Sequence, residues 1–530
     1  MPTTEAEARS EFADRTTGEA LLRASAWNAA SLILPQLYLV ATSIIVARFL
    51  TPSEMGRQSY IAFIELSLLL LVTGGVPSAV QRFGGRALGR GEPGNVPYLV
   101  RWAGRLAAVG AFIAGGVMVA AGLLGSEPRA AWIFAGGFCF VGVLQTVPAS
   151  ALAVLQRWRG VSIAGISFGA VSTVGVLAVL AAGGGITGFF AVEFAVAAVI
   201  LLVTAWLGHS ALRRLGAQPT KSTELRREAR RWALIATFTS ILTFVVWRRS
   251  EFLFLNQYSS DEQIAVYSIA FASIVAVTKL PEAVGTVISP AFATLSGAGQ
   301  TDRISSGYAR AMRLLLMVSL PLTALVMAIG PTAIRLVYGT SYKEAGKLLV
   351  IMAPTLPVLS LVSVSRGLVF GVGRQRSLVM VGMFAAVVNV ALDVVLIRLF
   401  NATGAAIANA AAQSAAAVAY VLMARRSAGP VEWALGALVR NALAAAAAGV
   451  AAWAVTEALG GVAGAFAGLA VFAVGFAVLA VVLRVMPSQD APWLESVADA
   501  RLRGRPRVEA QRIISAASGA GTRSRGCASR

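Results

Sequence analysis

Charged side chains that interrupt long apolar runs are where this sequence can do chemistry. Glu65, Glu193, Arg248, Arg249, Glu251 and Asp393 lie inside such runs, and so do Arg82, Lys279, Glu282 and Arg366. At the centre of a membrane helix such a residue costs about 2.5–3.5 kcal/mol, so each must face a wet cavity, pair with a partner or reach an interface. A rise of about 1.5 Å per residue sorts them into two layers. The first set falls in one outer third of the runs and is mixed in sign, which suits ion pairing or a gate. The second set falls in the opposite third and is mostly basic, which suits capture of an anion. Lys279 is the deepest of these cations, and Pro281 nearby removes a helix hydrogen bond and should kink the run. Arg82 and Arg366 are close enough to an interface to snorkel to it.

Other chemistries are poorly supplied. The chain has two cysteines, Cys139 inside an apolar run and Cys527 near the end, so neither a disulfide framework nor a cysteine metal site is expected. His209 is the single histidine and is read as a solvated residue of a basic loop. No metal, cofactor or catalytic triad is expected. Of the 530 residues, 57% are hydrophobic and 13% charged, about half the charge a soluble domain needs to cover its surface. A soluble enzyme is excluded. The net charge of +20 is spread in short clusters between apolar runs, the pattern of a membrane topology signal, and no nucleic-acid partner is expected.

The elements that must position these charges are membrane helices. About fourteen runs are long enough, at roughly 20 residues each, to cross a bilayer, from Trp27–Ala47 to Val462–Leu483. They lack the ten-residue alternation of a membrane barrel, so the fold class is an all-α polytopic membrane protein. Trp27, Trp102, Trp132 and Trp232, near run ends, read as interface anchors. The first 26 residues include Glu5, Glu7, Glu11, Asp14 and Glu19 and show no signal-peptide pattern, so the first run is expected to be kept. Most Lys and Arg fall in the N-terminus, the even-numbered loops and the C-terminus, which predicts that both termini are cytoplasmic. The loop with Arg213, Arg214, Lys221, Arg226, Arg227, Arg230 and Arg231 is the clearest case; the opposite face has Asp261, Glu262 and the Gly183–Gly185 turn. From Met486 on, Arg, Ser, Gly and Ala dominate, and a basic disordered tail able to lie on anionic lipid is expected.

An internal repeat organises the runs. Thr51-Pro-Ser-Glu54 is echoed by Ser259-Ser-Asp-Glu262, and the aromatic-led Tyr60–Phe63 by Tyr267–Ala270. Thr187-Gly188 recurs as Thr403-Gly404 at nearly the same offset. Six spans per repeat give two lobes of the same orientation, related by a pseudo-two-fold along the membrane normal, with a site between them expected. The boundaries are an N-terminal segment 1–26, an N-lobe 27–208, a basic linker 209–231, a C-lobe 232–424, an extra helix pair 425–485 and the tail 486–530.

Local sequence then carries a resemblance. Arg48-Phe-Leu-Thr-Pro-Ser-Glu54-Met-Gly56 and Gly74-Gly-Val-Pro77 through Arg82 resemble the opening of bacterial polysaccharide exporters, the O-antigen flippase type of the multidrug/oligosaccharidyl-lipid/polysaccharide superfamily. Ile334 to Gly339 with Tyr342, Asn389 to Asp393, and Gly404 to Ala408 are similar to its later spans, in order. The resemblance implies a two-lobed carrier that moves a polyprenyl-pyrophosphate-linked oligosaccharide from inner to outer leaflet of the bacterial plasma membrane by alternating access. Its lipid-linked glycan would meet Arg82, Lys279 and Arg366, and the mixed outer layer would gate the exit. A polymerase and glycosyltransferases are the partners such a carrier implies. A cation-coupled multidrug exporter of the same superfamily and a lipid II flippase are the nearest alternatives; a membrane glycosyltransferase is further off, since no outer loop exceeds about a dozen residues.

Overall fold

The computed structural model describes residues 37–216, 220, 222–247, 250–428, 433–492, 495 and 505–518. They are helical, with no strand among the described residues. In chain order the helices are α1 (Leu37–Phe49), α2 (Pro52–Thr73), α3 (Val76–Gly89), α4 (Asn95–Leu123), α5 (Arg129–Val154), α6 (Trp158–Ala181), α7 (Gly185–Arg214), α8 (Thr223–Trp247) and α9 (Glu251–Tyr258). Then come α10 (Asp261–Gly297), α11 (Thr301–Tyr338), α12 (Lys343–Met352), α13 (Thr355–Gly371), α14 (Gln375–Ala428), α15 (Leu435–Leu459), α16 (Gly461–Val482) and α17 (Arg505–Ser518). By length and composition, 10 described helices can each cross a membrane, and α12 with α13, bent by 50°, makes an eleventh. The longest, α14, is two helices meeting at Asn401, whose φ of 51° breaks the helical path.

Local chemistry sets the ends. Thr51 and Glu54 cap α2 reciprocally: the Thr51 amide donates to Glu54 Oε2 at 2.9 Å, and the Glu54 amide donates to Thr51 Oγ1 at 3.3 Å. The span beginning there breaks at Gly74, where φ is 48°, before α3 starts. A broken helix frees backbone groups that lipid cannot satisfy. Thr237 of α8 answers this by accepting the Gly75 amide at 2.8 Å.

The chain divides by its contacts into two units, the first ending at Ala265 and the second beginning at Val266. In the first, α5 packs on both α4 and α7, with Gly115 and Gly136 letting the backbones approach. In the second, α15 and α16 pack on each other and on α11 through Ala328, Ala448, Ala452 and Phe472. The boundary differs from the one the repeat suggests. Residues 232–265, expected to open the C-lobe, are held in the first unit, because α8 packs its Ala229 and Ala233 against Ala79, Phe83 and Leu99.

Three further expectations are revised. The tail is not disordered throughout: α17 is helical, the Met486 amide donates to Ala517 O at 3.1 Å, and Asp490 is fully buried. Burial of Asp490 is possible because Arg313 grips both its oxygens, at 2.7 and 2.8 Å, and Arg310 lies 3.4 Å away. His209 sits on the exposed face of α7 rather than in a loop. Trp132 is 7% exposed, packed on Gly122 and edge-on to Tyr60 at 6.3 Å, so it is an interior residue and not an interface anchor. Trp27 and the first 36 residues lie outside the described residues.

Candidate functional site

Arg82 is the best defined of the expected anion-binding cations. The helix α3 carries it, exposed, on the face turned to α8, and its guanidinium lies 3.9 Å from the centroid of the Trp232 ring. One turn on, Arg86 pairs with Glu228 at 3.1 Å. The ring holds Arg82 without neutralising it, because a cation over an aromatic face keeps its charge and its N–H donors. Trp232, expected as an interface anchor, thus acts as a platform.

Arg366 has a similar setting in the second unit. It lies half-buried on α13 with its guanidinium 5.9 Å from the Tyr420 ring of α14. Its neighbour Ser365 is fully buried and shares a 2.8 Å hydrogen bond with Tyr308 Oη of α11. No carboxylate pairs with Arg82 or Arg366 among the described residues. Lys279 lies half-buried on α10. Two residues before it, Val277 joins Leu315, Ser319, Leu322, Leu356 and Ser360 in lining a narrow apolar cleft. The side chain of Glu282 is outside the described residues. Arg82 therefore belongs to the first unit, and Lys279 and Arg366 to the second.

The mixed layer also divides. In the first unit, Glu193 accepts a hydrogen bond from Ser172 across α6 and α7, and lies close enough to Glu65 to interact electrostatically. The Glu65 carbonyl accepts from Cys139 Sγ at 3.4 Å. Glu251 is 1% exposed at the start of α9. Arg248 and Arg249 lie outside the described residues. In the second unit, Asp393 is fully buried and accepts from Asn389 Nδ2 at 2.9 Å. The turn at Asn401 folds the second half of α14 back, so Asn409 and Gln413, bonded at 2.7 Å, return to about the depth of Asp393 and Asn389. Both pairs are buried. Among the described residues no three His, Cys, Asp or Glu side chains are grouped to hold a metal.

The residues that carry the family resemblance have structural duties as well. Glu54 closes the cap of α2, and Gly56 lies where an added Cβ would run into the Asp261 backbone. Gly339 ends α11 with φ 106°, Tyr342 is 1% exposed just beyond it, and Arg48 lies exposed near the end of α1. Sequence reasoning missed Trp232 as the partner of Arg82, Tyr420 as that of Arg366, and the pairing of Arg57 with Asp261 at 2.9 Å. The last had a signal: Arg57 directly follows the Gly56 motif, and Asp261 stands in its repeat.

A family model described as polysaccharide biosynthesis protein matches residues 45–347, more than half of the chain. The chain belongs to the polysaccharide biosynthesis protein family. A second family model, lipid II flippase MurJ, matches residues 265–472. Among solved structures, a lipid II flippase MurJ in an inward closed conformation is similar at TM-score 0.66 and 11% identity, covering 86% of this chain and 98% of that one. An inward-facing multidrug-resistance MATE family transporter of the MOP superfamily follows at 0.59 and 18%, covering 75% and 97%. A MOP superfamily transporter from Pyrococcus furiosus is similar at 0.56 and 16%, covering 76% and 94%. No curated protein sequence matches the chain. This member of the family has the all-helical, multi-pass fold of those transporters, the fold class its sequence predicts.

Proposed function

We propose that this protein is a flippase that carries a polyprenyl-pyrophosphate-linked oligosaccharide from the inner to the outer leaflet of a bacterial plasma membrane by alternating access, for cell-surface polysaccharide. The observation that carries the reading lies within residues 45–347: Arg82 is presented on a tryptophan face with no carboxylate partner among the described residues. A pyrophosphate brought into a low-dielectric passage needs fixed, uncancelled cations with donors free. Arg82 and Arg366 supply them from the cytoplasmic side, and Lys279 is the third cation of that layer. By their depth along the sequence, Glu65, Glu193, Arg248, Arg249, Glu251 and Asp393 fall toward the exit, where charge can be exchanged between partners in the transport cycle. The protein acts as a transporter and not an enzyme, both termini cytoplasmic, with anionic lipid at its basic face and polymerase and glycosyltransferases as neighbours in the pathway.

The test is flipping of a labelled polyprenyl-pyrophosphate oligosaccharide in reconstituted vesicles by Lys279→Ala at equal protein amount. Loss of one charge-assisted contact costs about 1.5–3 kcal/mol, so the rate at limiting substrate should fall roughly tenfold or more. A rate within about twofold of the parent removes Lys279 from the head-group site. The match of residues 265–472 favours one second reading, transport of lipid II itself. The same vesicles loaded with lipid II decide between the two cargoes.

A further inference from the structure

The helix α11 is long and apolar enough to cross a membrane, yet it contains two prolines, Pro321 and Pro331. A proline has no N–H to give, so Pro321 leaves the carbonyl four residues back, that of Met317, without its helical donor, and the helix can bend there. Lipid offers such a carbonyl nothing. On one side a bend has room, because Leu315, Val318, Ser319 and Leu322 line a narrow cleft with Leu356 and Ser360 of α13.

On the other side α15 supplies what is missing. Asn441, 1% exposed, donates from Nδ2 to the Met317 carbonyl at 3.2 Å. Farther along, Gly449 lies against Ala324, Ala448 and Ala452 pack on Ala328, and Arg335 donates to Glu457 Oε1 at 3.1 Å. Met317, Ala324, Ala328 and Arg335 fall on one stripe of α11, turned away from the residues that line the cleft. The partners are 124 residues apart in sequence at the first contact and 122 at the last, so the two helices run side by side in the same direction for about 27 Å. That is nearly the full hydrocarbon core of ~30 Å. Behind α15, Gly464 and Gly468 set α16 against Thr456. The chain leaving α16 adds Asp490, which Arg313 grips one turn before Met317.

What this support steadies lies across α11. Tyr308 is fully buried and shares its 2.8 Å hydrogen bond with Ser365 of α13, the residue before Arg366. Tyr308 and Arg313 stand about 140° apart around the helix, so α11 is seated here between α13 and the segment that carries Asp490. From Pro321 back to Tyr308 is about 20 Å, and a bend of about 10° there would move Tyr308 by about 3.5 Å. No hydrogen bond survives such a shift.

We propose that α15, α16 and the segment holding Asp490 are a splint for the proline-weakened α11, and that Asn441 and Asp490 are, through it, positioning residues for Arg366. The proposal rests on the head-group reading of Arg366 and gives the two spans beyond the expected repeat a task.

With Cys139 and Cys527 replaced by serine, spin labels at Ser306→Cys and Val337→Cys, both exposed and about 46 Å apart along α11, report its straightness by pulsed electron resonance in vesicles. Asn441→Leu should broaden the distance distribution, and Asn441→Gln, which keeps an amide donor, should stay close to the parent. In flipping of the labelled polyprenyl-pyrophosphate oligosaccharide, Asn441→Leu should raise the half-saturating concentration about threefold or more with the maximal rate little changed. That effect should vanish on an Arg366→Gln background and persist on an Arg82→Gln background, whereas a general loss of fold would lower the maximal rate on every background. An unchanged distance distribution in Asn441→Leu, or a shift in half-saturation that persists in full without Arg366, overturns the proposal. Should the parent move lipid II and not the oligosaccharide, the cargo assignment fails, and the same comparison made with lipid II decides the splint.

Discussion

At the scale of single residues, the charges inside this chain divide by what holds them. Arg82 and Arg366 rest on aromatic rings, which leaves their charge for a ligand. Arg313 is spent on Asp490, both buried, with two hydrogen bonds shorter than 3 Å. Spacing could rank Arg82 and Arg366 as candidates, but nothing in the local sequence distinguishes a free arginine from a spent one, since Asp490 is far along the chain from Arg313. The consequence is testable. Removing one partner of a buried pair strands the other, at about 3–5 kcal/mol. Asp490→Asn should therefore lower the thermal unfolding midpoint in detergent and expose the segment after Val482 to limited proteolysis. An unchanged midpoint and digestion pattern would show that the pair does not hold the tail.

At the scale of elements, the ends of the helices were legible and their pairings less so. Thr51 and Glu54 at a three-residue spacing announce a reciprocal cap, and the structure has one. Thr51→Ala should cost about 0.5–2 kcal/mol. The variant should unfold at a lower temperature in detergent, and an unchanged midpoint would show that the cap adds nothing to the stability of α2. The run from Gln375 to Ala428 shows the opposite case. Its apolar composition reads as two spans, but the sharpness of the turn at Asn401 depends on Gly404 lying against the Leu396 carbonyl, a contact made only when the two halves fold back. The tail shows it again: a segment rich in Arg, Ser, Gly and Ala has little apolar surface to bury, and it orders where it finds Arg313 and the end of α16.

At the scale of the whole molecule, orientation follows from charge, and a cysteine at Thr220, in the basic segment after α7, should resist an impermeant thiol reagent in intact cells while one at Gly183 reacts. Labelling at Thr220 from outside would invert the topology. The sequence by itself determined the class of the protein. A chain with 57% hydrophobic residues arranged in runs of membrane length can satisfy its backbone in lipid only as helices, and its clustered charges can lie only between them. The colinear motifs of the first half were enough for the family. Tertiary structure decided which helix touches which. It set α8 against α3, so that Trp232 lies under Arg82; it brought Asp261 to Gly56, and Asp490 to Arg313. The reason is physical: helix formation in a membrane is a local matter of hydropathy and backbone hydrogen bonds, whereas packing between helices turns on a few small residues and polar contacts that any apolar run can contain and only the assembled fold selects.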